Sequence, residues 1–300
     1  MKRRSLVAGL AAGFALLLSA CATGATQPAP QAFTSDRIEV VTRGSGSDVI
    51  LIPGLTSHRD VWATTAAALE TNHRVHMVQV KGFAGFPAAA NAEGQVAAPV
   101  AEEIARYIGE QHLDHPALIG HSMGGTIAMM VSARHPDAVG RVMVVDMFPW
   151  MGAMFGPPGS TAESVRPVAD QVRAQMLAAP AGATSTTEQM IAGMVRTESA
   201  RPQQIEYARN SDRATVANAF HELIVTDLRP ELTHITAPLT VLYVIPPAIP
   251  ITPAQYDGYM HASYASLPNA RIVKIDDSYH FIMIDQFDRF MQEVHTFLGD

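Results

Sequence analysis

Only one cysteine, Cys21, occurs in 300 residues, so no disulfide can form within the chain and a packed core must hold the fold. Basic residues form no run after Lys2, Arg3 and Arg4. Lysines and arginines number 21 against 28 aspartates and glutamates, a formal net charge of −7. Such a surface has little to offer a phosphate backbone, and nucleic acid is excluded as a partner. Charged residues are scarce at 16% while hydrophobic ones reach 48%, which excludes a disordered linker and leaves material for a large core. No period of about 20–50 residues recurs, so the chain is not a solenoid. Zinc-type His or Cys spacing, phosphate loops and dinucleotide fingerprints are missing as well, and neither a metal nor a cofactor is expected.

What is present begins at the N-terminus. Three cations at positions 2–4 precede an apolar stretch over residues 6–18, too short to cross about 30 Å of hydrocarbon, and Leu18-Ser19-Ala20-Cys21 closes it with small residues. That pattern reads as a signal peptide over residues 1–20. The tetrapeptide resembles the lipobox of bacterial lipoproteins, which implies that Cys21 becomes the acylated first residue of the mature chain; the alternative is a plain secretory signal with an incidental cysteine. Ala22 and Thr23 follow, with no aspartate beside the cysteine. The resemblance therefore implies an outer-membrane anchor facing the periplasm. Removing residues 1–20 takes away three cations and brings the net charge from −7 to −10. Residues 21–36, with Pro28 and Pro30 and no apolar periodicity, read as a tether.

From residue 37 strands and helices alternate. Short β-branched runs fall at 38–41, 49–52, 74–80, 117–119 and 141–145. The first two are separated by a hairpin-like turn over 44–48. Helical patterns fall at 60–69, around Val96, Val100, Ile104 and Ile108, and at 123–134. Such alternation predicts βαβ units and a mostly parallel sheet covered by helices on both faces. The pattern breaks near residue 149. Residues 149–180 are rich in Pro, Gly, Ala and Met, and helices are expected at 187–195 and 203–223. Alternation resumes with a strand at 239–245, a helix at 253–267, a strand at 270–275 and a helix at 286–298. The expected organisation is therefore core over 37–148, an inserted helical region over 149–236, and core again over 237–300.

Between the strand at 117–119 and the helix at 123–134 stands Gly120-His121-Ser122-Met123-Gly124-Gly125. It matches G-x-S-x-G in its strand, turn, helix context. Glycines at 120 and 124 let strand and helix approach closely, and the turn exposes the Ser122 hydroxyl above the sheet. The Met123 N–H, at a helix N-terminus, points to where an oxyanion would form.

With these residues the segment 37–300 resembles α/β-hydrolase-fold enzymes, of the branch with a helical cap. Ile52-Pro53-Gly54-Leu55 matches the loop after the family's third strand, with Pro53 where His is usual, and the resemblance implies a second oxyanion N–H from Leu55. Ser278-Tyr279-His280-Phe281, followed by Ile284-Asp285-Gln286, resembles the loop of the catalytic histidine, which implies His280 as the base. His121 is assigned packing or a polar contact, since neighbours on such an elbow point apart. The acid departs from the common pattern, because Pro246-Pro247-Ala248-Ile249-Pro250-Ile251, after the strand at 239–245, holds no carboxylate. Asp146 ends the strand at 141–145, where some capped relatives such as haloalkane dehalogenases carry the acid, and it is favoured over Asp257, Asp276 and Asp277. Phe83 and Phe86 are expected either to line a pocket or to pack.

The function expected is a serine hydrolase acting on small apolar esters through Ser122, His280 and Asp146 by way of an acyl-enzyme. The same residues serve lactonases, amidases, C–C bond hydrolases and perhydrolases, and a non-catalytic ligand-binding envelope lipoprotein is the reading from another class.

Overall fold

Runs such as Val49-Ile50-Leu51-Ile52 and Val142-Met143-Val144-Val145 are apolar at every position, so both faces of each strand must be covered. The computed structural model describes residues 33–179, 184–247 and 251–300. Cys21, the signal segment and residues 248–250 lie outside the described residues. Seven strands form one sheet: β1 (Ile38–Gly44), β2 (Ser47–Ile52), β3 (His73–Val80), β4 (Ala117–His121), β5 (Arg141–Val145), β6 (Leu239–Tyr243) and β7 (Arg271–Lys274). Their order is β1-β3-β2-β4-β5-β6-β7, with β1 antiparallel to β3 and every other pair parallel. The sheet is the mostly parallel one that the strand–helix alternation predicts.

Alternate residues feed two cores. Val49 and Leu51 of β2, Ile119 of β4 and Val145 of β5 pack on one face with Trp62, Phe290, Val294 and Phe297. Ile50, Ile52, Leu118 and Val144 pack on the other with Val100, Ile104, Ile127 and Met260. The helices that supply these faces are α1 (Ala63–Leu69), α2 (Ala97–Glu110), α3 (Met123–Arg134), α8 (Pro253–Ser263) and α10 (Phe287–Leu298), the last preceded by the short α9 (Ile282–Asp285). Each fully buried large side chain contributes about 1.5–3 kcal/mol. Phe33 packs edge-on against Tyr107 with centroids 4.9 Å apart, and the Arg106 guanidinium covers it.

Three expectations need correcting. The turn over 44–48 makes no hairpin, because β3 runs between β1 and β2. Gly44 and Gly46 have φ of +72° and +123°, and a Cβ on Gly44 would lie 2.4 Å from the carbonyl oxygens of Glu70 and His73. Close passage of the chain entering β3 is what needs glycine here. Second, the Pro- and Gly-rich stretch contains a long helix. Between β5 and β6 stand α4 (Ala162–Ala178), α5 (Thr184–Met194), α6 (Arg201–Arg209) and α7 (Arg213–Val225). A capping box between Thr161 and Ser164 starts α4 even though Pro167 lies inside it, and such reciprocal bonds satisfy two otherwise orphaned N–H groups. The expected helix over 203–223 breaks at residues 210–212, where the Asp212 carboxylate accepts the Thr215 N–H at 2.8 Å and opens α7.

Buried polar contacts seat these helices. Glu222 of α7, 2% exposed, accepts the N–H groups of Val96, Ala97 and Ala98 at 2.6, 2.7 and 2.8 Å. The positive end of α2 thereby gains a carboxylate, and the carboxylate gains the donors that make its burial tolerable. At the α6–α7 turn Asp212 donates its N–H to Gly82 and Gly85 donates to Asn210, at 2.7 and 2.9 Å.

Candidate active site

At the C-terminal end of β4 the chain turns sharply into α3. Ser122 occupies the turn at φ +54° and ψ −122°, a region that costs an L-residue on the order of 1–3 kcal/mol and persists only where the surroundings impose it. The surroundings are on both sides. Ser122 donates its N–H to Val145 at 2.9 Å, and its carbonyl accepts from Gly125 and Thr126. A Cβ on Gly120 would lie 2.1 Å from the Gly124 carbonyl oxygen, and one on Gly124 would lie 2.2 Å from that of Ile52. Both glycines are therefore required by backbone contact. The contact of Gly124 with residues 52 and 53 also sets the Pro53-Gly54-Leu55 loop beside the serine, and a Cβ on Gly54 would be 3.0 Å from that of Ser122. Among the described residues neither the Leu55 nor the Met123 N–H has a hydrogen-bond partner.

His280 lies in the loop between β7 and α9. Its Nδ1 donates to Asp146 Oδ2 at 2.6 Å, which fixes the tautomer and leaves Nε2 as the free nitrogen. Asp146 follows β5 at φ +54°, and its side chain is 10% exposed. Its other oxygen, Oδ1, accepts the Val244 N–H at 3.1 Å. So the chain leaving β6 supplies a backbone donor to the carboxylate that ends the neighbouring strand. The structure brings Asp146 and His280 together but does not join Ser122 to them, since its hydroxyl has no hydrogen bond among the described residues. The other three carboxylates point elsewhere. Asp257 accepts from the Tyr243 hydroxyl at 2.9 Å, Asp276 pairs with Lys274 at 3.2 Å, and Asp277 pairs with Arg196 at 2.7 Å.

His121 is buried and donates from Nε2 to the His280 carbonyl at 3.0 Å. Burial, reinforced by the neighbouring His280, pushes its basicity well below the usual imidazole value. It therefore stays neutral, with the two rings 4.5 Å apart between centroids. Phe83 is fully buried in the core. Phe86 packs against His58 at 5.5 Å and lies under the Arg59 guanidinium. Sequence reasoning assigned no role to the Val244 N–H or to Asp285, which binds the histidine loop; Asp285 enters it only as part of the motif that follows His280. Among the described residues no group of His, Cys, Asp or Glu is arranged to hold a metal ion.

A family model described as alpha/beta hydrolase fold matches residues 49–287. A pimeloyl-[acyl-carrier protein] methyl ester esterase of Aliivibrio fischeri (strain MJ11) is 24% identical over 266 residues, covering 86% of this chain and 96% of that protein. Among solved structures, a hydrolase from Pseudomonas aeruginosa PA01 superposes with a TM-score of 0.72 at 18% identity, over 88% of this chain and 94% of that one. The enol-lactonase from Burkholderia xenovorans LB400 gives 0.71 at 18% identity, over 88% and 96%. With the sheet order, the glycine-locked turn after β4 and the family model in agreement, this chain belongs to the alpha/beta hydrolase fold family and is a hydrolase of that fold.

Proposed function

We propose that the protein is a serine carboxylesterase for small apolar esters, with Ser122 as nucleophile, His280 as general base and Asp146 as the acid that orients it. The observation that carries the reading is the 2.6 Å hydrogen bond from His280 Nδ1 to Asp146, made at the same rim of the sheet as a serine held at positive φ. In the first step the Ser122 oxygen bonds to the ester carbonyl carbon while its proton passes to His280 Nε2. The carbonyl oxygen becomes an oxyanion facing the N–H groups of Leu55 and Met123, which are free to donate. Collapse breaks the bond to the alkoxide, which takes the proton from Nε2. Water then repeats the sequence on the acyl-enzyme. The methyl ester esterase name of the Aliivibrio relative supports an ester over an amide or lactone.

Labelling by a fluorophosphonate probe tests the reading. Wild type should label and hydrolyse short-chain p-nitrophenyl esters, and Ser122→Ala should do neither. A folded wild type that fails to label would favour the non-catalytic binding reading.

We also propose that the mature chain begins at an acylated Cys21, by the likeness of Leu18-Ser19-Ala20-Cys21 to a lipobox. Two or more acyl chains anchor stably where one does not. Cys21→Ser should release active protein from the membrane fraction; persistent association would point to another contact.

A further inference from the structure

Most of the backbone groups on either side of His280 are held by specific partners. Tyr279 donates its N–H to Asp285 Oδ2 at 2.9 Å, the His280 carbonyl accepts from His121, and Phe281 donates to the Met194 carbonyl at 3.2 Å. The Phe281 carbonyl accepts from Ile284 and Asp285 at 2.9 and 3.0 Å. Asp285 has two further donors. Its Oδ2 accepts the Arg196 N–H at 3.0 Å and its Oδ1 the Thr197 N–H at 2.8 Å. One carboxylate thus takes three backbone donors from two segments that are far apart in sequence. The first is the loop that carries the histidine, and the second is the chain leaving α5.

We propose that Asp285 is a positioning residue for His280, tying the histidine loop to residues 196 and 197 so that the aim of the imidazole follows the seating of that segment. The inference rests on the reading of His280 as the base. Bonds from a carboxylate to backbone N–H groups are charge-assisted and stronger than neutral ones. All three bonds are direct, so displacement of residues 196 and 197 would be transmitted to Tyr279 and its neighbour. Among the described residues the imidazole has one hydrogen bond, to Asp146, and a shift of its own backbone changes that contact. A displacement of about 1 Å at a reacting group costs about 10²-fold in rate.

Asp285→Asn keeps the size but turns one acceptor into a donor, leaving at least one of the three N–H groups without its partner. The expected result is a 10- to 100-fold loss of kcat on a short p-nitrophenyl ester, by the ~10²-fold cost of misplacement, with KM within about threefold. Amide exchange should quicken at Tyr279 and Thr197. A second variant guards against misfolding. Thr197 has φ −69°, which proline adopts without strain, so Thr197→Pro removes the N–H given to Oδ1 and spares the bond to Tyr279. It should lose kcat in the same direction by a smaller factor. Faster exchange with kcat within twofold of wild type would make Asp285 a clamp only and overturn the proposal, as would unchanged exchange and rate. Failure of wild type to label with fluorophosphonate would instead overturn the serine-hydrolase reading beneath it.

Discussion

A serine, a histidine and an aspartate lie at each end of the sheet, and the two groups differ in how the serine is held. At the N-terminal ends of β2 and β3, Ser47 bonds His73 Nδ1 at 2.8 Å and His73 Nε2 bonds Asp300 at 2.9 Å. At the C-terminal ends, Asp146 bonds His280 at 2.6 Å while the Ser122 hydroxyl has no hydrogen bond among the described residues. By hydrogen bonds alone the lower group is the more complete. Yet Ser47 sits in register with His73 inside the strand ladder, both ring nitrogens of that histidine are spent, and no helix begins at the serine. Ser122 stands at positive φ at the start of α3, beside two unengaged backbone donors. The difference lies in what surrounds the serine, two backbone N–H groups without partners among the described residues and a strained turn, and not in the chain of hydrogen bonds.

The sharpest way to break this contrast is to remove the carboxylate that holds His280 in the upper group. Asp146→Asn keeps the shape but favours the wrong imidazole tautomer, which in an enzyme of this kind costs on the order of 10⁴ in kcat. Asp257→Asn, Asp276→Asn and Asp277→Asn should each stay within about threefold. Steady-state turnover of a p-nitrophenyl ester decides it. An Asp146→Asn enzyme within tenfold of wild type, about 1.4 kcal/mol on the barrier, would dissolve the distinction between the two groups.

Much of the upper group was legible because backbone crowding dictates residue type. Gly120 and Gly124 are forced by contacts near 2 Å, and an all-apolar loop residue set after β6 left Asp146 as the carboxylate at a strand end. The sheet was legible from runs apolar at every position. What escaped has a common cause, since each feature depends on chain crossings that local sequence does not encode. Gly44 and Gly46 resemble a hairpin turn until β3 is known to pass between the strands they join. Glu222 resembles a surface residue of a helix until the N-terminus of α2 is set against it. The helix α4 was hidden by Pro167 and a weak apolar stripe, and its capping pair, Thr161 with Ser164, lacks the usual Glu or Gln. Asp285 acts through backbone donors of a segment about ninety residues earlier, and no spacing rule reaches that far.

Gly124→Ala sharpens the comparison by attacking what the lower group lacks. Its Cβ would press on the Ile52 carbonyl oxygen at 2.2 Å and on that of Pro53 at 2.8 Å, and backbone must move. Displacement of the loop that presents Leu55 should cost about 10²-fold in kcat, with a lower melting temperature. An enzyme within threefold of wild type would mean that elbow and loop relax independently.

The lower end of the sheet should answer in stability instead. Burial alone would raise the Asp48 carboxyl, but hydrogen bonds from Arg74 and His76 outweigh it and hold it below the usual carboxylate range. A carboxylate depressed on folding stabilises the protein above its unfolded value, near 3.9, and that contribution is lost as pH falls through the lower folded value. Asp48→Asn should therefore cost about 1–3 kcal/mol at neutral pH, a few degrees of melting temperature, with kcat at 25 °C unchanged. The gap between variant and wild type should hold constant above about pH 5 and close below about pH 4. A gap that persists at pH 2.5 would place the effect in packing.

Ser47→Ala should do least of all. Ser47 is exposed at the start of β2, and its hydroxyl contributes one hydrogen bond to a ring that Asp300 also holds. An exposed bond of this kind is worth little against water, within about 0.5 kcal/mol, and turnover should stay within twofold. The decisive experiment places the fluorophosphonate probe on the Ser122→Ala protein, where the upper group is silenced and any nucleophile below has no competitor. Proton transfer from Ser47 to His73 would give an alkoxide with no helix N-terminus or free pair of N–H groups to receive the oxyanion, so the probe should find no second serine. A label on Ser47, lost in Ser122→Ala/Ser47→Ala, would show that a hydrogen-bonded Ser, His and Asp suffice in this fold without an oxyanion site.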